Sequence, residues 1–151
     1  IDLHEMWALF KPIVHPKTVF LFNASQPFTS KLVMSKLKWF KCEWIWQKNY
    51  GSNYLNAKYY PMKEHESLVM FCKETAPYTP VMQKRSKPLT KRSKKNYLSD
   101  LYQFNLLSPN YSCDHLDKDY RYPSSIQFFK KEIGLHPCQK PIDLCAYFIN
   151  T

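Results

Sequence analysis

The sequence contains very little glycine, since only Gly51 and Gly134 occur among its 151 residues. A loop that cradles a phosphate or a dinucleotide needs several glycines close together, because its backbone adopts positive φ angles and approaches the ligand closely. Two isolated glycines exclude such a loop. They therefore exclude a kinase, a P-loop enzyme or a complete Rossmann enzyme, unless part of the molecule lies outside this chain.

Long apolar runs are also missing. The longest run is SLVMFC at residues 67–72, whereas a membrane span needs about 20 apolar residues. No charged and then apolar leader precedes a small-residue cleavage site. We therefore expect a soluble, cytoplasmic protein, in which the glycosylation patterns at Asn23 and Asn110 are not used.

Paired metal or disulfide motifs are absent as well. The five cysteines, Cys42, Cys72, Cys113, Cys138 and Cys145, are odd in number and lack CxxC spacing, so we expect reduced thiols and no disulfide framework. Neither HEMWA nor HESLV has the second histidine of the HExxH pattern, which excludes a zinc protease. Cys113 and His115 lack a second ligand pair, and we expect no metal site.

Positive charge is abundant. Lysine and arginine number 22 against 12 acidic residues, which gives a formal net charge of +10 and favours a polyanionic partner such as nucleic acid. An anionic membrane surface is a weaker alternative, because the most basic run contains Pro88 and has almost no apolar face. A generally lysine-rich proteome is the third explanation. The 44% hydrophobic content is sufficient for a substantial core.

The first forty residues show the helix, strand, helix order of an α/β sheet. In residues 2–13, apolar side chains at Leu3, Met6, Trp7 and Phe10 predict a helix that Pro12 ends. KTVFLFN at 17–23 is too apolar to alternate and predicts a strand that is covered on both faces. Residues 25–40 predict a second helix, with Pro27 at its first position and one apolar side formed by Phe28, Leu32, Val33 and Leu37.

The remaining elements are two strands and a final helix. CEWIWQK at 42–48 and SLVMFCK at 67–73 predict strands, and the joint at 49–66 is too long for a tight hairpin and is expected to be functional. Residues 75–125 show no regular pattern. KPIDLCAYFINT at 140–151 predicts a helix with Ile142, Cys145, Ala146 and Ile149 on its apolar face. Because the chain begins with Ile1 and stops inside this helical pattern, we expect a segment of a longer protein.

Three strings resemble one family in one order. TVFLFNASQPFTSKLV, EWIWQKNYGSNYLNAKYYPMKEHESLVMF and GLHPCQKPIDLCAYFI are similar to the amino-methylating DNA methyltransferases of bacteria and their phages. HPCQKP differs from the family's usual HPTQKP only by Cys138. The resemblance covers residues 1–74 and 132–151, while residues 75–131 fall where the family has a variable target-recognition region.

The resemblance implies an α/β fold that forms part of a Rossmann-like class I methyltransferase sheet. Residues 1–74 and 132–151 would belong to the catalytic domain, and 75–131 would be an irregular recognition insert. In the β-class order, the catalytic tetrapeptide of the Asp-Pro-Pro-Tyr type precedes these strings and the glycine-rich cofactor loop follows them. This chain contains neither, so the resemblance implies no catalytic residue here and explains the shortage of glycine.

The resemblance also implies the activity. Such enzymes transfer a methyl group from S-adenosylmethionine to an exocyclic amine of adenine or cytosine, on a base flipped out of double-stranded DNA. The partners would be DNA and the remainder of the enzyme or a second copy. The chain could instead be a catalytically inert nucleic-acid-binding module, or one subunit of a split methyltransferase.

The resemblance and the residue types together suggest three groups of site residues. The cofactor-binding group is His136, Pro137, Cys138, Gln139 and Lys140, although His136 and Lys140 could simply cap a surface helix. Asn23, Ser25 and Gln26 follow a buried strand and are expected in the substrate pocket, with ordinary helix capping as the alternative.

The third group mixes basic, aromatic and amide side chains and is expected to bind DNA. Its members are Lys48, Asn49, Tyr50, Asn53, Asn56, Lys58, Lys63 and His65 in the loop, and Lys84, Arg85, Lys87, Lys91, Arg92, Lys94 and Lys95 in the basic run. A solvated loop and a mobile charged segment are the alternatives. His65 and Glu66 also recur in the family, where a structural hydrogen bond explains them as well as catalysis does.

Overall fold

The computed structural model describes residues 2–87, 119–134, 136 and 138–151. The chain divides into two compact units, one comprising Ile1–Thr79 with Ser124–Thr151 and the other comprising Pro80–Pro123. In the described part of the second unit, two short strands, β4 (Gln83–Lys84) and β5 (Tyr120–Arg121), pair antiparallel. The first unit contains the remaining described elements.

In its described residues, the first unit contains three α-helices and four strands. In chain order its elements are α1 (Leu3–Phe10), β1 (Val19–Ala24), α2 (Phe28–Ser35), β2 (Phe40–Ser52), β3 (Lys63–Cys72), β6 (Ile126–Phe128) and α3 (Ile142–Ile149). Short 3-10 turns follow α1 at Lys11–Ile13, precede β2 at Leu37–Trp39 and occupy the β2–β3 loop at Tyr54–Asn56. The predicted order of helix, strand, helix and two strands is confirmed at each element.

The four strands form one mixed sheet in the order β1-β3-β2-β6. β3 lies between β1 and β2 and is antiparallel to both, while β6 runs parallel to β2. Among the described strands, β1 and β6 each have a partner on one side only. Phe20 and Phe22 pack against the hydrophobic cluster on one face and Leu21 against the cluster on the other, so both faces of β1 are covered as expected, although the three side chains are only half-buried.

One face of the sheet packs against α1 and α2. Trp7 from α1 meets Phe71 of β3 edge to face, with ring centroids 5.2 Å apart, and also contacts Phe20 and Phe22. Its indole Nε1 donates a hydrogen bond of 2.9 Å to Ser35 Oγ at the end of α2. An indole buries a large apolar area and also needs a partner for its N–H group, and this position supplies both.

The other face packs against α3. Leu144 lies in a cluster with Trp44, Trp46 and Leu68, and it is only 1% exposed. This observation corrects the predicted apolar face of α3, because Ile142, Cys145, Ala146 and Ile149 are exposed. Nearly every residue of this helix is apolar, so the sequence pattern permits two faces and tertiary packing selects the one that contains Leu144.

Two further boundaries differ from the predictions. β2 and β3 are longer than expected and leave a loop of only residues 53–62, because Ser52 at the end of β2 still pairs with Lys63 beyond a shift in the register. α2 ends at Ser35, and Leu37, which was predicted on its apolar side, lies in a 3-10 turn and is 56% exposed.

Candidate functional site

Several predicted site residues meet at the carboxyl end of β1. In the sheet register, Asn23 lies opposite Leu68 and Trp46 lies opposite Glu66. Because side chains alternate along a strand, Asn23 and Glu66 lie on the same face, the one that α3 covers. β2 ends and β3 begins at this edge, which therefore receives side chains from three strands.

The centre of this edge is the carboxylate of Glu66. Its Oε1 accepts a hydrogen bond of 2.6 Å from Lys48 Nζ, and its Oε2 accepts one of 2.6 Å from Lys140 Nζ. The side chain of Lys48 is 8% exposed and that of Lys140 is 29% exposed. We call these three residues the Lys-Glu-Lys cluster. It joins β2, β3 and the segment before α3.

Trp46 forms the floor of the cluster. The ammonium groups of Lys48 and Lys140 lie 5.1 Å and 5.4 Å from the centroid of its ring, within range of a cation–π interaction. The ring is itself fixed, because Nε1 donates a hydrogen bond of 2.9 Å to Phe129 O and the side chain is almost fully buried. Both cations are therefore held between a carboxylate and an immobile aromatic face.

The two lysines lower the pKa of Glu66. Burial alone raises the pKa of this carboxyl group, but hydrogen bonds and Coulomb attraction from Lys140 and Lys48 outweigh that effect and bring the pKa below its ordinary value. Glu66 is therefore ionised at neutral pH, and the cluster carries a formal charge of +1. Lys140, the more exposed of the two cations, retains N–H donors for an anionic group.

A second carboxylate organises the HPCQKP segment. Glu132 accepts hydrogen bonds from Gln139 Nε2 at 3.0 Å and from the backbone N–H of Ile142 at 2.9 Å. The second bond caps the first turn of α3, where the helix dipole favours negative charge. His136 and Cys138 are exposed, and the backbone N–H of Cys138 donates to His136 Nδ1 at 3.0 Å. Pro137 lies outside the described residues.

The predicted pocket residues at the end of β1 have mixed environments. Asn23 and Gln26 are exposed, and Ser25 is half-buried. Gln26 Oε1 accepts a hydrogen bond of 2.8 Å from Ser30 Oγ, and Ser25 O accepts one of 3.2 Å from the backbone N–H of Thr29. Neither bond joins a side chain to a backbone N–H of the first turn, and α2 has Pro27 at its N-cap position without a side-chain cap, so ordinary capping by Ser25 or Gln26 does not occur. A pocket role stays a prediction for all three residues.

The β2–β3 loop presents aromatic and basic side chains to solvent. Tyr54, Tyr59 and Tyr60 are each more than half exposed. Lys58 Nζ lies 5.0 Å from the ring centroid of Tyr59. The predicted DNA-binding residues Asn49, Tyr50, Asn53, Lys58 and His65 are exposed, and Asn56 and Lys63 are half-buried. Lys48 differs from them, because it is buried and paired with Glu66.

Two predicted loop residues also make structural contacts. Asn49 Oδ1 accepts a hydrogen bond of 2.9 Å from the backbone N–H of Lys131. Asn53 adopts a left-handed conformation with φ of 71°, and its Oδ1 accepts a hydrogen bond of 2.8 Å from Asn56 Nδ2. Asparagine tolerates this backbone region better than most residues, so Asn53 shapes the turn that carries the tyrosines.

Only part of the basic run lies within the described residues. Lys84 and Lys87 are exposed, and Arg85 is half-buried with its Nε donating 2.9 Å to Tyr120 O. Lys91, Arg92, Lys94 and Lys95 lie outside the described residues, as do Cys113 and His115. DNA contact by the basic run stays a prediction.

A cavity of about 300 Å³ lies elsewhere on the first unit. It adjoins the amino end of β1 and the last turn of α3, with Val19, Met70 and Phe148 among its lining residues. None of the predicted site residues lines it. Within the ranges that the structure describes, no group of three metal-ligating side chains occurs, and no helix is long and apolar enough to cross a membrane.

The sequence-based site prediction includes Lys48 and Lys140 but omits the other residues at the centre of the site. Glu66 was noted only as a recurring neighbour of His65, and Trp46 and Glu132 were not considered as site residues. The available signal was the alternation of Trp44, Trp46 and Lys48 along β2, which places a lysine on the apolar face of a strand. A charged residue in such a position needs a buried partner.

Comparison with known proteins identifies the family. The family model of DNA methylases of the N6/N4 type matches residues 2–151, so this chain belongs to that family of DNA methyltransferases. No curated protein matches the chain significantly.

A solved structure shares the fold. The crystal structure of the M1.HpyAVI–SAM complex superposes with a TM-score of 0.55 at 18% sequence identity, over 96% of this chain and 57% of that one. The chain thus spans little more than half the length of this solved relative. The predicted fold class, part of a Rossmann-like methyltransferase sheet, is confirmed.

Proposed function

We propose that this chain is part of a DNA methyltransferase that transfers a methyl group from S-adenosylmethionine to an exocyclic amine of adenine or cytosine. In this proposal, the chain supplies one wall of the cofactor pocket and the region that recognises DNA. The catalytic tetrapeptide and the glycine-rich loop do not occur in the sequence, so other parts of the enzyme must supply them. A protein with this activity would work in the cytoplasm, where bacterial DNA lies.

The observation that carries the proposal is the convergence at the carboxyl end of β1. HPCQKP reaches this edge because Lys140 pairs with Glu66 of β3, and the next residue of β3, Ser67, lies opposite Ala24 at the end of β1. Two parts of the chain that are more than a hundred residues apart in the sequence therefore border the same edge of the sheet. Open α/β sheets place their ligands beyond the carboxyl ends of strands. The M1.HpyAVI structure, which was solved with SAM, shares the fold.

The side chains at this edge fit the polar groups of S-adenosylmethionine. Lys140 retains donors for a carboxylate, and His136 and Asn23 are exposed and can hydrogen-bond to hydroxyl or amino groups. When bound, the cofactor supplies an electrophilic methyl group on a sulfonium. The residues of this chain would bind and orient it, while the acceptors of the amine protons lie on the catalytic tetrapeptide.

The β2–β3 loop and the second unit would contact DNA. An enzyme that modifies an exocyclic amine must take the base out of the stack, and exposed tyrosines beside lysines suit both the unstacked base and the phosphates. Lys84, Arg85 and Lys87 would add contacts to phosphate. The base that is methylated and the DNA sequence that is read depend on the variable insert.

Calorimetry with S-adenosylmethionine tests the cofactor wall. We expect saturable binding that Lys140→Ala weakens by roughly tenfold, the scale of one charge-assisted hydrogen bond. Lys31→Ala is the matched control, because Lys31 is an exposed lysine on α2, the helix that packs on the opposite face, and should bind like wild type. Tight DNA binding without any cofactor binding would instead support the inert nucleic-acid-binding module.

Salt dependence tests the contacts with phosphate. Each neutralised phosphate changes the slope of log affinity against log salt by about 0.9 on duplex DNA. Replacing Lys84, Arg85 and Lys87 together by glutamine should therefore reduce the slope by about 2.7, if each contacts one phosphate. An unchanged slope would remove these three residues from the proposed interface.

A further inference from the structure

Glu66 links β2 to the HPCQKP segment, which lies far from β2 in the sequence. Its two carboxylate oxygens are used separately, Oε1 by Lys48 of β2 and Oε2 by Lys140 of the HPCQKP segment, each at 2.6 Å. Charge-assisted hydrogen bonds of this length are stronger than neutral ones. A glutamate with one oxygen for each lysine can hold both ammonium groups at once.

The two lysines differ in their freedom to move. Lys48 is 8% exposed, lies on the sheet face that α3 covers and has its ammonium over the ring of Trp46. Lys140 is 29% exposed and belongs to an irregular segment that precedes α3. A lysine side chain has many rotamers, and without a partner Lys140 would spread over them. Lys48 therefore acts as the anchor and Lys140 as the group that is being positioned.

We infer that Glu66 is a positioning residue that fixes the ammonium of Lys140 at the cofactor-facing edge of the sheet. Trp46 restrains the same ammonium from below, and Lys48 holds Glu66 in place. This inference rests on the proposed function, since it assigns Lys140 to the cofactor. Glu66 need not touch the cofactor, because both of its oxygens already accept hydrogen bonds from lysine.

Removing the charge of Glu66 should affect Lys140 more than Lys48. In Glu66→Gln the two ammonium groups lose the anion between them and repel each other. Lys48 has little room to leave, whereas Lys140 can turn towards solvent. We therefore expect weaker cofactor binding in a protein that is still folded.

The test is a double-mutant cycle on the affinity for S-adenosylmethionine, measured by calorimetry. Glu66→Gln should weaken binding by roughly tenfold in the wild-type background and by less than about twofold in the Lys140→Met background, because its effect passes through Lys140. Glu64→Gln is the matched control, since Glu64 lies two residues earlier in β3 and is exposed. Its affinity should equal that of wild type.

A purely structural role predicts a different result. Glu66→Gln would then lower thermal stability without changing cofactor affinity in the folded protein, or it would lower cofactor affinity equally in the wild-type and Lys140→Met backgrounds. Either result overturns the inference. If Glu66→Gln does not fold, the double variant Lys48→Gln/Glu66→Gln replaces it, because it removes one charge of each sign. The effect of Glu66→Gln on cofactor affinity is then measured by comparing this double variant with the single variant Lys48→Gln. Wild-type protein that binds no cofactor contradicts the proposed function itself. If the wild type binds the cofactor and Glu66→Gln binds it with the same affinity, only the role of Glu66 is contradicted.

Discussion

The packing of α3 yields the sharpest prediction about stability. Leu144 is 1% exposed and packs against Trp44, Trp46 and Leu68, whereas Ile142, two residues earlier, is 72% exposed. Both residues are aliphatic and have the same number of carbon atoms. Their truncation to alanine therefore compares a buried and an exposed position on one helix.

The expected magnitude follows from the atoms removed. Leu144→Ala deletes three buried carbon atoms at about 0.8 kcal/mol each, which gives about 2.4 kcal/mol for transfer to water. The space that the substitution leaves beside Trp44 and Trp46 is also unfavourable. Lost transfer energy and this new cavity together lower the free energy of unfolding by about 3 kcal/mol. Ile142→Ala should change it by no more than about 0.5 kcal/mol.

Urea unfolding followed by tryptophan fluorescence measures this difference, because Trp44 and Trp46 adjoin the cavity. We expect the midpoint of Leu144→Ala to fall while the slope of the transition is retained. If Ile142→Ala destabilised the protein as much as Leu144→Ala, the face of α3 that contacts the sheet would be the one with Ile142 and Ile149, and the assignment made from the structure would be wrong.

Three other predictions concern the site and its loop. The pKa of Glu66 is lowered in the folded protein. Its contribution to stability is therefore fully present above the pKa of an unfolded glutamate, about 4.3, and is lost as the pH falls through the pKa of Glu66 in the folded protein. The difference in unfolding free energy between wild type and Glu66→Gln should therefore shrink in acid titrations, and a difference that grew on acidification would contradict the pairing. Gly51→Ala would place a Cβ atom 2.7 Å from Met62 Cβ, so it should destabilise the hairpin by about 1–3 kcal/mol in thermal unfolding, while the exposed Lys58→Ala stays near zero. Tyr59→Ala should weaken binding of single-stranded DNA by about 1–3 kcal/mol without altering the salt dependence, because stacking carries no charge; a changed slope would contradict this.

The sequence predicts the helices and strands of this protein well where the pattern of apolar residues fits only one structure. The apolar stripe of Leu3, Met6, Trp7 and Phe10 and the run at 17–23 correspond to α1 and β1, since residues close in the chain determine both. The apolar face of α3 could not be derived in the same way, because a helix with almost no polar residue permits several orientations. Only the positions of Trp44 and Leu68 select Leu144.

The centre of the site depends on contacts that the sequence does not encode locally. Lys140 and Glu66 are 74 residues apart, and Lys48 and Glu66 are 18 apart. Their meeting requires the register of β2 on β3 and the docking of the segment before α3. The predicted joint at 49–66 hid this register, because it assigns Asn49 and Glu66 to a loop although β2 and β3 extend through them.

Photo-crosslinking tests the cofactor wall most directly. The purified protein is irradiated with methyl-labelled S-adenosylmethionine, with and without excess unlabelled cofactor, and the labelled peptides are mapped by mass spectrometry. We predict competable label in the peptide that contains residues 136–140. Competable label found only in peptides from α1 and α2, on the opposite face of the sheet, would contradict the placement of the cofactor at the Lys-Glu-Lys cluster.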